Sequence, residues 1–420
     1  RYNNYFKKLP GPIQNLSLYK NSRTKGENIY NKLKISTPKY HSQLNLFIAK
    51  DFNIYDNSRL EPPFDTNFMY SKFAKNLQSQ RGIYYRSTLA INDFESDFGA
   101  DYKYEDFSYK EYKPFDDSLE FVPQNSISHI YHENYSAFFK LNYKKDFQQF
   151  NIEIQNGIRK DFPINFQNFL SWNISPKIDY YSYIGNFQVG SVFGNSFTLP
   201  SFYNLYWKGD SQTIGNPNLK PEESFSQEYF INLSEYSHKL SFSYQHQYLQ
   251  DMIIWAQDFN KRWKPLNISE VKIQNYQTDL ALSFFDFWDF SANYIRTISE
   301  DLTKNDDGEP TSFYGNELIY TPRYNLSVEN QFKIKEVNIK FQYKKTGHQW
   351  STRDQLSEDK KIAEYEIINV SLNYTKKFRK IELVTGIDLN NIQNNMYEIY
   401  KYIPQPGFNM NFKIKIKVRN

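Results

Sequence analysis

The chain has no cysteine, and nowhere in its 420 positions do about 18 apolar residues run together. The first absence excludes disulfides and thiolate metal centres, and suits an exported protein. The second excludes a transmembrane helix. It does not exclude crossing a membrane with strands, because a barrel strand needs only about 10 residues with every second one apolar. Glycine and proline are modest, at 15 and 17. Neither sign of charge dominates, with 51 basic residues against 47 acidic, so nothing points to a nucleic-acid partner. No phosphate-binding loop or nucleophile elbow occurs, which leaves no footing for an enzyme. The six histidines (His41, His129, His132, His238, His246 and His348) lack metal-ligand spacing. His129 and His132 are expected on opposite faces of a strand. Asp306-Asp307-Gly308-Glu309 lacks the full calcium-loop pattern and reads as an acidic surface loop. No cofactor is expected. No linker or compositional break divides residues 1–420, although a soluble chain of this length would normally split. The chain starts at Arg1, without Met or a signal peptide, and so reads as a processed or truncated product.

What is abundant is aromatic: 36 Tyr, 36 Phe and 6 Trp, in a chain of mean hydropathy -0.76. These residues recur with period two. Phe412, Ile414, Ile416 and Val418 alternate with Lys413, Lys415 and Lys417. Ile368, Val370, Leu372 and Tyr374 alternate with Asn369, Ser371 and Asn373. Leu240, Phe242, Tyr244 and Tyr248 alternate with Ser241, Ser243, Gln245 and Gln247, and Ile339, Phe341 and Tyr343 with Asn338, Lys340 and Gln342. Ile164 to Trp172 follows the same pattern. Successive side chains of a strand point to opposite faces, so each segment has one greasy and one polar face. A soluble β-sandwich also alternates. Polar faces of Asn, Gln, Lys and Ser favour a wet lumen instead. Aromatics near strand ends (Trp255, Phe259, Trp263, Phe287, Trp288, Phe290) favour interface girdles.

Connection lengths alternate when traced back from the C-terminus. Tight turns are expected at 375–380, 335–336, around Asp286 and at 235–238. Long loops are expected at 345–361, 299–316, 256–268 and 196–221. Short turns on one side and long loops on the other characterise outer-membrane barrels. The reading is an all-β transmembrane antiparallel barrel of roughly 16–18 strands in this chain.

Two stretches then supply a resemblance. Gly194, Phe197, Pro200, Leu205 and Tyr206 stand in the order of "G-x-x-F-R-A-P-x-x-x-E-L-Y", with Thr198-Leu199 for Arg-Ala and Asn204 for Glu. Gly215, Asn216, Pro217, Asn218, Leu219, Lys220, Pro221 and Glu222 match "G-N-P-x-L-K-P-E" in full. Tyr320-Thr321-Pro322-Arg323, Asp388 to Ile392, and Tyr402 to Phe408 with Pro406 and Gly407 add later matches, and Leu9-Pro10-Gly11-Pro12 an early one. Together they resemble the barrel part of TonB-dependent receptors of the outer membrane. Physically the motif residues read as loop scaffold first, since Asn and Pro are turn-formers and Pro sits safely at a strand start.

The resemblance implies a barrel of about 22 strands when complete, filled by an N-terminal plug. Its TonB box would be pulled by the TonB–ExbB–ExbD complex to import a scarce bulky solute. Ferric siderophores, haem, cobalamin and oligosaccharides are the family's typical solutes. Residues 201–215 contain no His, which argues against haem. Residues 1–420 are therefore expected to be one barrel domain, the C-terminal part of a receptor lacking plug and first strands. Its expected surroundings are outer-membrane lipid, a small-molecule ligand and no second copy. A plugless porin-like channel and a surface adhesin or enzyme on a barrel are the alternatives. Ligand contacts are expected from long loops, where aromatics offer flat apolar area and cations suit anionic ligands. The candidates are Tyr203, Tyr206, Trp207 and Lys208, then Trp255, Arg262 and Trp263, then His348, Trp350 and Arg353.

Overall fold

A computed structural model describes residues 2–8, 21–57, 72–115, 118–123, 126–208, 213–257, 262–305, 307–379 and 381–418. The Leu9–Pro12 match, Phe259, Asp306 and the last two residues lie outside these.

The chain runs β1 (Tyr2–Lys8), β2 (Asn21–Ser36), β3 (Tyr40–Asn57), β4 (Lys72–Ile91) and β5 (Phe94–Phe115), then a short β6 (Ser118–Phe121). It continues through β7 (Ile127–Asp146), β8 (Phe150–Pro163), β9 (Phe169–Ser182) and β10 (Gly185–Thr198). A one-turn helix α1 (Phe202–Tyr206) precedes β11 (Glu222–Glu235), β12 (His238–Gln257), β13 (Trp263–Phe284) and β14 (Trp288–Asp301). There follow β15 (Tyr324–Ile334), β16 (Val337–Thr346), β17 (Gln349–Trp350), β18 (Lys361–Ile362), β19 (Tyr365–Lys377) and β20 (Ile381–Asn390). The last are β21 (Glu398–Tyr400), β22 (Ile403–Pro404) and β23 (Asn409–Val418). Among the described residues, 19 strands share one antiparallel sheet, while β17–β18 and β21–β22 are small hairpins within loops. Apart from β6, a side arm on β5, every strand of the large sheet pairs with the next as an up-and-down meander. Without that side arm the sheet has 18 strands among the described residues, the upper end of the 16–18 expected, and with it 19. None of the described helices is long and apolar enough to cross a membrane.

The alternation read from the sequence becomes two faces. Phe242, Phe341, Leu372, Ile414 and Ile416 stand on the outer surface. The inner face is polar and internally neutralised. Arg159 bridges Asp101 at 2.7 Å and Asp161 at 2.8 Å, Lys177 meets Glu153 at 2.9 Å, and Lys417 meets Glu382 at 2.9 Å. Lys177–Glu153 and Lys417–Glu382 join directly opposed residues of neighbouring strands, while Arg159 pairs within β8 and reaches past β7 to Asp101 of β5.

The tight side is turned at Asn92, Tyr236, Phe285 and Lys335, all with φ between 51 and 55° except Tyr236 at 47°. Primed turns demand such left-handed residues because their twist matches the strands. The long side carries loops 199–221, 302–323, 347–364 and 391–408. Buried apolar residues gather at this end, in one cluster around Phe107, Ile127 and Phe202 and another around Ile254, Ile268, Val271 and Leu318. Loops that bury an apolar core of their own hold a shape above the wet lumen.

Two expectations need correction. No single strand runs from Ile164 to Trp172: residues 164–168 turn between β8 and β9. The run of alternation there joins two strand ends across a turn. Residues 256–268 are not a long loop either, because β12 reaches Gln257 and β13 begins at Trp263. Both hairpin arms stay paired through Trp255↔Pro265 and Gln257↔Trp263, Pro265 included. Ladder pairing extends the strands well beyond the point where polar residues suggested a loop.

Candidate functional site

The "G-N-P-N-L-K-P-E" stretch works as a strap between loop 199–221 and the β12–β13 hairpin. Asn216 donates from Nδ2 to the Pro265 carbonyl at 3.0 Å, and its Oδ1 accepts the Asn218 amide at 3.2 Å. The Asn267 side chain clasps the backbone of Lys220, accepting its N–H and donating to its carbonyl, both at 3.0 Å. Glu222 Oε1 accepts the Ile253 amide at 2.5 Å. A Cβ at Gly215 would lie 2.7 Å from the Trp207 nitrogen, so only glycine permits this approach. The other half of the motif anchors the same loop. Phe197 stacks on Phe169 with centroids 4.0 Å apart, Pro200 and Leu205 are buried, and Ser201 caps α1 by accepting the Asn204 amide at 3.1 Å. Further on, buried Asn391 donates to the carbonyls of Asn395 at 2.9 Å and Pro406 at 3.4 Å. Beside it, Phe408 N–H donates to Asn394 Oδ1 at 2.9 Å next to Gly407.

These straps frame a cavity of about 520 Å³ at the long-loop end. Trp255 and Trp263 line one wall, Phe313 and Tyr320 another, and Arg353, Lys360 and Lys401 bring positive charge against one carboxylate, Asp354. Arg353 is pinned from behind. Its Nη2 donates to Asp301 Oδ2 at 2.6 Å and its Nε at 3.0 Å, while its guanidinium lies 4.2 Å from the Phe313 ring centre. A held guanidinium over an aromatic face offers a flat cationic surface at little further entropy cost. Lys401 donates to the Lys361 carbonyl at 3.0 Å. Burial, and then Tyr400, push the Tyr320 hydroxyl above its ordinary pKa, so it stays a neutral donor.

The three sequence-derived groups are redistributed. Trp255 and Trp263, from the tip of the β12–β13 hairpin, share this cavity with Arg353, from loop 347–364. Tyr203 stands beside it, its ring 5.6 Å from Trp255 and 5.0 Å from Trp207. Trp255 also donates to Asn204 Oδ1 at 3.3 Å. Tyr206, Trp207 and Lys208 line a separate pocket of about 430 Å³ against β7. Trp350 is buried beneath Lys361, whose ammonium lies 5.1 Å from its ring centre, and supports the loop without lining the cavity. His348 is half-buried outside it, and Arg262 precedes β13 without lining it. Sequence reasoning missed Phe313 and Tyr320 of loop 302–323, Lys401 and Tyr402 of loop 391–408, and Lys360 of the loop that carries Arg353. Tyr320 and Tyr402 lay inside quoted motifs, and that was the available signal. His132 faces inward against Phe202 while His129 pairs with Asp106 at 2.6 Å on the other face, as strand spacing requires.

The family described as TonB dependent receptor-like, beta-barrel, matches residues 2–394. The chain belongs to this family of outer-membrane receptor barrels, whose members interact with TonB and bind small ligands. A vitamin B12 transporter, BtuB of Photobacterium profundum, is 25% identical over 235 residues, which are 53% of this chain and 34% of that protein. The solved copper transporter OprC superposes with a TM-score of 0.74 at 12% identity, covering 94% of this chain and 66% of OprC. The ferric enterobactin receptor PfeA of Pseudomonas aeruginosa gives 0.67 at 14%, covering 94% and 61%. The chain therefore spans about a third of that curated relative and under two thirds of these structures.

Proposed function

We propose that this protein takes up a scarce, bulky solute, a ferric siderophore or a cobalamin, across the outer membrane by TonB-dependent coupling, and catalyses no reaction. The observation that carries this reading is the loop cavity. About 520 Å³ of space, walled by Trp255, Trp263, Phe313 and Tyr320 and biased positive by Arg353, Lys360 and Lys401, suits a large anionic or flat ligand. The names of similar proteins support it, since these include a vitamin B12 transporter and a ferric enterobactin receptor. In this reading residues 1–420 are barrel. A plug and TonB box on the complete protein engage TonB–ExbB–ExbD, and the receptor works as a monomer.

The test uses cells producing the full-length protein. Radiolabelled cyanocobalamin and ferric enterobactin are offered separately, with and without a protonophore. Saturable binding of one, uptake abolished by the protonophore, and loss of binding in the Trp255→Ala, Trp263→Ala double variant are expected. Steady ion conductance in planar bilayers without saturable binding of either would make the protein a passive channel instead.

A further inference from the structure

Four aromatic residues take positive φ among the described residues: Tyr236, Phe285, Tyr320 and Tyr402. A bulky side chain in the left-handed region is strained, because its Cβ crowds the following carbonyl oxygen, and such positions ordinarily go to Gly or Asn. Tyr236 and Phe285 sit at tight turns of the opposite end, 96% and 81% exposed. Tyr320 (φ 53°) and Tyr402 (φ 65°) belong to different loops, yet both line the loop cavity.

Tyr402 is the second residue of the two-residue turn that closes the β21–β22 hairpin, with Tyr400 and Ile403 paired across it. A positive φ at the second turn position is what a type II turn gives to Gly or Asn. Nothing in the hairpin itself asks for a tyrosine there. Its backbone N–H donates to Glu398 Oε2 at 3.1 Å, which fixes the turn and leaves the ring 44% exposed. The Lys401 ammonium lies 5.5 Å from the ring centre and is itself tied to the Lys361 carbonyl. Tyr320 is held in the same manner, its N–H donating to the Trp350 carbonyl at 2.7 Å. Its ring lies 5.2 Å from that of Tyr400, so one residue touches the first strained tyrosine and flanks the turn of the second.

Backbone strain persists only where the surroundings over-determine it, and it concentrates at ligand clamps. We propose that Tyr320 and Tyr402 form an aromatic clamp that grips the ligand of the loop cavity. The clamp rests on the uptake reading proposed for this cavity and adds which residues do the gripping. A flat ligand meets Trp255 and Trp263 from the β12–β13 hairpin and these two rings from loops 302–323 and 391–408. Because the backbone of each tyrosine is fixed beforehand, closing on the ligand costs little further ordering. A clamp and a structural prop then differ in a measurable way. Removing a clamp ring relieves the backbone and loses affinity, whereas removing a prop loses both affinity and stability.

The experiment uses the full-length protein in detergent, with equilibrium binding of radiolabelled cyanocobalamin and of ferric enterobactin, and thermal scans alongside. Tyr402→Asn, whose side chain suits the left-handed region, is expected to weaken binding about tenfold or more. Its melting temperature should hold or rise by about 2 °C. Tyr320→Asn should weaken binding likewise, and Tyr402→Phe, which keeps the ring, should bind as the wild type does. Tyr236→Asn, a matched change at the far end, should leave binding unchanged. Wild-type affinity in Tyr402→Asn overturns the clamp. So does a lowered melting temperature or failure to fold in that variant, which would make Tyr402 a prop. Wild-type protein that binds neither probe removes the uptake reading and the clamp with it, whereas a silent Tyr402→Asn against a binding wild type removes the clamp alone.

Discussion

Arg353 and Asp301 show how single residues set the loop site. Asp301 ends β14 with its side chain 3% exposed, and Arg353 reaches it from a loop 52 positions away. Removing one member of a buried ion pair strands the other, at a cost of about 3–5 kcal/mol. Arg353→Ala is therefore expected to lower the melting temperature in detergent as well as to weaken ligand binding. Pairing Arg353→Leu with Asp301→Asn should recover most of the stability and none of the binding, and thermal scans with titrations separate the two. Asn216 is a quieter case. Its side chain closes two bonds, one tying loop 199–221 to Pro265 of the β12–β13 hairpin and one to Asn218 within the loop. Asn216→Ala should cost about 1–3 kcal/mol and speed protease cleavage within that loop. Asn216 and its neighbours were legible in the sequence as scaffold because turn chemistry is local. Arg353 was legible only as a cation near aromatics, because its partner Asp301 lies on another element.

Among elements, the long loops carry the pH response. His348 follows the end of β16, where burial, then the charges of Arg323 and Lys361, hold its pKa below the ordinary 6.5. Its Nε2 is buried and meets no partner among the described residues. A depressed folded-state pKa means the unfolded loop binds the proton more readily. The stabilisation is complete above about 6.5 and is lost as pH falls below it. Loop 347–364 is expected to become protease-sensitive at pH 5.5 relative to 7.5, and His348→Gln to flatten that difference. An equal pH response in the variant would remove His348 from the explanation. The Glu364 carboxyl answers oppositely placed partners: a hydrogen bond from Tyr324, then Lys345, hold it below the usual carboxylate range. At this scale the strands were legible from period two. Their ends were not. β12 and β13 stay paired through Pro265, and the β8–β9 turn hides inside an alternating run.

At the scale of the whole molecule, one surface must meet lipid and the other water. Ile231 on β11 is outward and 48% exposed, and Asn232 beside it donates to Gln188 on the inner wall at 2.7 Å. Ile231→Lys is expected to destabilise the inserted barrel by about 2–4 kcal/mol, and Asn232→Lys by much less. Folding titrations into lipid vesicles measure both. Similar values for the two would show that the faces are assigned wrongly. The lumen's ion pairs reinforce the assignment, because charges paired across the inner wall hold a wet interior together without an apolar core.

The sequence by itself determined the barrel. Side-chain alternation, the alternation of short and long connections and the motif at 215–222 are all local signals, each readable within about a dozen residues. The cavities were decided only by tertiary structure. Trp255, Phe313, Arg353 and Lys401 meet because the β12–β13 hairpin and three loops come together over one end of the sheet, and Asn76 and His132 share a pocket because β4, β5 and β7 lie side by side. Strand pairing and loop closure bring together residues that chain spacing keeps far apart, and no periodicity in the sequence records which of them will touch.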